Sequence, residues 1–108
     1  MTGAGMDARP VWRVRLRYVD DETRSTIQRL EVAKWVEATL PTVGALDPVT
    51  SMPMTNGWTV MLHVHAVTGP DAVAAAEDLL EVATGDTARV MGRLVDSKAA
   101  PGVVRSRR

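Results

Sequence analysis

His63 and His65 are the chain's two histidines, one residue apart. In an extended strand that spacing sends both imidazoles to the same side, about 6–7 Å apart at the backbone. Such a pair could hold a metal or exchange protons near neutral pH. A catalytic metal centre needs a third ligand, and no Asp or Glu falls on the matching parity of the flanking apolar segments. The chain has no cysteine, which removes thiolate nucleophiles, disulfides and cysteine-ligated metals. Nor does it contain a serine nucleophile elbow, a P-loop or a dinucleotide fingerprint. The sequence therefore points away from an enzyme, and no catalytic residue, metal or cofactor is assigned.

The second constellation is basic. Arg13, Arg15 and Arg17 alternate with Trp12, Val14, Leu16 and Tyr18, a period of two that predicts a half-buried strand over 11–19. Trp58, Val60, Leu62, Val64 and Ala66 alternate in the same way with Thr59, Met61, His63 and His65. They follow Thr55-Asn56-Gly57, a turn of the kind that closes tight hairpins. A third alternation, over 88–96, sets Val90, Gly92 and Leu94 against Arg89, Met91, Arg93 and Val95. Guanidinium groups make planar bidentate contacts with oxyanions, so a face that gathers these arginines suits phosphates or an acidic partner. Solvated arginines also keep a bare sheet from aggregating, which explains the same pattern with no partner.

The elements that position these residues can be read from punctuation and periodicity. Ser25 with Gln28 forms a capping-box pattern ahead of a helix that Pro41 stops. Its apolar stripe is imperfect: Val32, Trp35, Val36 and Leu40 share a face while Ile27 and Leu30 do not, which leaves a hairpin strand at 25–31 as the alternative. Segment 42–54 carries Pro48 and Pro53, which confine any strand there to a sheet edge. Thr68-Gly69-Pro70-Asp71 starts a second helix that stops at Gly85 and buries Ala72, Ala76, Leu79, Leu80 and Ala83. The predicted domain spans 11–98, between a loose arm at 1–10 and a loose basic tail at 99–108 with Arg105, Arg107 and Arg108.

The order strand, helix, strand, strand, helix, strand resembles the ferredoxin-like βαββαβ plait, an α+β fold in which two helices back a mostly antiparallel sheet. The resemblance lies in element order alone, and a fold this common hosts many functions. It implies an edge position for the second strand and makes the other three strands neighbours. Arg13, Arg15, Arg17, Arg89 and Arg93 then gather on the open face of the sheet, with Met61, His63, His65 and Met91 among them. Methionines on an otherwise polar face suggest that part of it is covered by another protein surface.

Composition bounds the partner. The 108 residues suffice for one core, and thirteen basic residues balance thirteen acidic ones, so no global field gathers nucleic acid or an anionic membrane. No apolar run approaches the roughly 18 residues of a membrane span, and the first ten residues lack a secretory layout. A cytoplasmic location is expected. The expected function is a non-catalytic binding or assembly module that contacts a protein partner, or a copy of itself, through the basic, methionine-containing face. One alternative is nucleic-acid backbone binding by the same arginines and the tail. Base stacking is not expected, because Trp12, Tyr18 and Trp58 fall on the core parity and phenylalanine is absent. The other alternative is a ligand binder or cofactorless enzyme of the dimeric α/β-barrel type, using His63 and His65.

Overall fold

The computed structural model describes residues 8–102, so Arg105, Arg107 and Arg108 of the basic tail, and most of the N-terminal arm, lie outside it. Four antiparallel strands form one sheet: β1 (Val11–Val19), β2 (Leu46–Met54), β3 (Gly57–His65) and β4 (Arg93–Pro101), in the order β2-β3-β1-β4. Helices α1 (Thr26–Thr39) and α2 (Gly69–Thr84) connect them, with a one-turn helix α3 (Thr87–Met91) before β4. This is the ferredoxin-like α+β arrangement, with β2 at an edge.

Alternation builds the two central strands. Val14, Leu16 and Tyr18 of β1 and Trp58, Val60, Leu62 and Val64 of β3 turn inward and are buried. Against them pack Ala33 and Val36 of α1, Leu40 in the 3₁₀ turn that follows, and Ala72, Ala76, Leu80 and Ala83 of α2. Small alanines let α2 approach the sheet closely. Trp12, half-buried at the rim, donates its indole N–H to Ala66 O at 3.0 Å.

The capping box decides 25–31 in favour of helix. Ser25 Oγ accepts from Gln28 N at 3.0 Å, and Gln28 Oε1 accepts from Ser25 N at 2.8 Å. Ser25→Ala removes one arm of this exchange and is expected to lower stability by about 1 kcal/mol, read from the midpoint of a denaturant melt. The buried face of α1 runs through Arg29, Ala33 and Val36, which leaves Trp35 43% exposed rather than inside. Trp35 lies a quarter-turn or more off that line, and Arg29 occupies the inward position because its guanidinium covers an aromatic ring.

Two boundaries differ from the sequence reading. Residues 87–91 are helical, because Asp86 caps a turn by accepting from Arg89 N at 3.2 Å and that turn buries Met91 in the core. The strand starts only at Arg93, after Gly92 has turned the chain at φ 88. It then runs through Ala99–Pro101, which the sequence reading placed in the tail, and Gly102 N donates to Val11 O at 2.8 Å.

Tyr18, the single tyrosine, carries a testable titration. Burial, reinforced by the charges of Glu77 and Glu81, pushes its phenol well above the ordinary value of 10.0. A raised phenol leaves stability whole below that value; above it the unfolded chain ionises while the folded chain does not. Each further pH unit should then cost about 1.4 kcal/mol. Phenolate absorbance should rise only with unfolding, and Tyr18→Phe should flatten the alkaline limb; a native phenolate near pH 10 would contradict this.

Candidate protein-binding face

The helices cover one side of the sheet, and strand register fixes what the other side presents. Across the four strands the aligned rows are Leu46, His63, Arg13, Ala100; then Thr50, Met61, Arg15, Lys98; then Met52, Thr59, Arg17, Asp96; then Met54, Gly57, Val19, Arg93. Cross-strand neighbours share a face. The surface is therefore divided, with thioether and aliphatic groups on the β2 side and charge on the β1 and β4 side.

Arg13, Arg15 and Arg17 are all exposed, as alternation predicted. Arg15 approaches Asp96 at 3.9 Å and Arg93 approaches Asp21 at 3.8 Å, both between exposed side chains. Contacts of that kind contribute at most about 1 kcal/mol each. Arg13, Arg17 and Lys98 have no carboxylate partner among the described residues. Met52, 59% exposed, and Met54 lie open on β2, across β3 from the arginines of β1, with Met61 half-buried on β3 between them.

The chain matches no protein-family model, no curated protein and no solved structure. Its function must be argued from this geometry.

Of the residues singled out from the sequence, Arg13, Arg15, Arg17, Met61, His63, His65 and Arg93 do share the open face. Arg89 and Met91 do not. Arg89 stands on α3, 3.9 Å from Asp86, with its carbonyl accepting from Arg24 Nη2 at 3.3 Å, and Met91 is wholly buried. The reason is the helical turn at 87–91, too short to break an apparent alternation. Lys98 takes their place in the basic group. Asp96 also joins the face, because an extra residue, Val95, interrupts the pairing of β4 with β1 between Arg17 and Tyr18. No sequence signal marked that bulge; the contributions of Thr50, Met52 and Met54 followed from β2 parity, which the prolines obscured.

The histidines are more constrained than surface residues. His63 is only 8% exposed, and its Nδ1 lies 3.0 Å from Pro48 O, where β2 leaves the ladder between Leu46 and Thr50. His65 Nδ1 lies 2.8 Å from Arg9 O. A carbonyl only accepts, so in both rings Nδ1 carries the proton and donates. No group of three or more side chains able to hold a metal occurs among the described residues. A cleft of about 300 Å³ lined by Asp20, Asp21, Glu22 and Arg93 lies at the opposite end of β1 from His63.

Exposed acids occupy the other layer: Glu77, Asp78 and Glu81 on α2, Glu31 and Glu37 on α1. A neutral chain is thereby polarised, basic across the sheet and acidic across the helices. Trp58 and Tyr18 are buried on the helix side, so among the described residues the open face carries no Trp, Tyr or Phe ring for stacking a base.

Proposed function

We propose that the protein is a binding module whose open sheet face docks an acidic protein surface, the arginines of β1 meeting carboxylates while Met52 and Met54 cover aliphatic groups. The observation that carries this reading is the presence of Arg13, Arg17 and Lys98, each without an acidic partner among the described residues, with two exposed methionines on one face that no helix covers. Bare solvent explains the arginines but not thioethers on the same face. Nucleic-acid backbone binding uses the same cations, but it gives the methionine half no role. No helix among the described residues is long and apolar enough to cross a membrane, and the expected working place is the cytoplasm.

The test is recovery of partners from the native cell by cross-linking and mass spectrometry, with the wild-type chain, with R13E/R15E/R17E and with Met52→Glu. Both variants should lose the same partner, and that partner's cross-links should map to β1 and β2. Recovery unchanged by either variant removes the proposal. Recovery of nucleic acid with an affinity that falls steeply with salt would transfer the face to the other class.

A further inference from the structure

The sheet has two edges, and they are not alike. Along β2, Pro48 and Pro53 cannot donate to a further strand, and the ladder already lapses between Leu46 and Thr50. β4 has no proline before its last residue, nine residues of extended backbone, and no strand on its outer side among the described residues.

The direction of its free groups follows from one hydrogen bond. Gly102 N donates to Val11 O, and in an antiparallel ladder bonded and non-bonded pairs alternate. Ala100, Lys98 and Asp96 therefore exchange their backbone bonds with Arg13, Arg15 and Arg17. Ser97 and Ala99 direct N–H and C=O away from β1, into the space beyond the edge.

We infer that β4 pairs antiparallel with β4 of a second copy, centred on Ser97, to join two sheets into one. In that register the ends Arg93 and Pro101 coincide, so the whole strand overlaps its partner. Ser97 faces Ser97 of the partner subunit as a bonded pair. Asp96 then faces Lys98 of the partner subunit in the non-bonded pair, where side chains approach most closely, and the two-fold axis makes that contact twice. A slip of two residues one way sets Asp96 against Asp96 of the partner subunit; a slip the other way sets Lys98 against its own counterpart. Larger slips shorten the overlap. Edge charges ordinarily repel a second strand; here they are of opposite sign and spaced so that only the full-length register pairs them favourably. The assembly goes beyond the docking proposal: it takes Lys98 as an edge contact, leaves Arg13 and Arg17 of β1 to the docking face, and makes the two basic faces continuous.

Sedimentation at rising concentration should give a dimer for the wild type. D96K and K98D, each folded by circular dichroism, should each weaken it at least about tenfold, equivalent to about 1.4 kcal/mol. An equimolar mixture of the two variants, and the double variant D96K/K98D, should restore it, because each again sets unlike charges opposite. In this cysteine-free chain, Ser97→Cys should oxidise to a covalent dimer, the Cα atoms lying about 5.5 Å apart, whereas Thr50→Cys on the other edge should not. A wild-type monomer at the highest soluble concentration, a dimer indifferent to D96K, or a mixture no tighter than its parts overturns the inference.

Discussion

Trp58→Ala is expected to cost about 3–5 kcal/mol, enough to leave a domain of ordinary stability barely folded. The indole is fully buried on the inner face of β3, and its Nε1 donates to Arg29 O at 2.9 Å. It also supports two cations, with the guanidinium carbons of Arg29 and Arg24 at 5.6 and 5.8 Å from the ring centre. Arg29 is 6% exposed, Nη2 reaches Glu22 O only at 3.4 Å, and Nη1 has no hydrogen-bond partner. Deleting the ring therefore opens a cavity and also strips a buried charge of the π face that compensates it. Trp58→Phe, which keeps a ring but no N–H donor, should fall between. Arg29→Met, which removes the charge and keeps the packing, should stay within about 1 kcal/mol of wild type, since an incompletely satisfied buried cation adds little net stability. Guanidinium melts of the three variants test the ranking; an Arg29→Met loss as large as that of Trp58→Ala would show that the cation, not the ring, organises this end of the core.

How much of this was legible depends on how long each pattern runs. β1 and β3 alternate over enough residues that parity alone assigned Arg15 outward and Leu16 inward, and coordinates agree at both. Capping chemistry marked the starts of both long helices, since Ser25 with Gln28 and Thr68 with Asp71 are local devices that need no tertiary context, but the imperfect apolar stripe of the first left 25–31 open between helix and strand. Prolines 48 and 53 marked an edge strand correctly. What escaped was short or relational. One helical turn at 87–91 resembles two steps of an alternating strand, and only burial distinguishes them: Met91 is drawn inward with the turn, taking Arg89 out of the candidate face. The bulge at Val95 is a property of pairing, visible only once β1 lies beside β4, so the outward placement of Asp96 and Lys98 could not be read from either strand alone. Arg29 inverted the usual rule, a charged residue inward and Trp35 partly outward, because a buried indole offered the guanidinium a partner. His63 was legible as to face and not as to burial, which depends on where the Pro48 carbonyl comes to rest.

Gly92→Ala should produce the second large loss, about 3 kcal/mol or more, and for a reason separable from packing of the core. Gly92 sits at φ 88 and ψ −148, a region where only glycine is unstrained, and a Cβ there would lie 2.1 Å from Val19 O. Backbone cannot rotate aside as a side chain can, so strain and overlap add. Gly85 supplies the control: its φ is 80, also left-handed, yet a Cβ would meet nothing within 4 Å. Gly85→Ala should therefore cost only the left-handed penalty, about 1–2 kcal/mol. The close approach at Gly92 is what allows Arg93 to enter the ladder directly opposite Val19, and every later residue of β4 is counted from there. Relief of the overlap requires α3 and the start of β4 to move away from β1. Gly92→Ala should thus raise amide exchange along β4 before it does so in β3, while Gly85→Ala leaves β4 protected. Equal losses for the two substitutions, or exchange confined to α3, would mean that the junction yields without disturbing the strand, and that the outward positions of Asp96 and Lys98 are set by the bulge at Val95 alone.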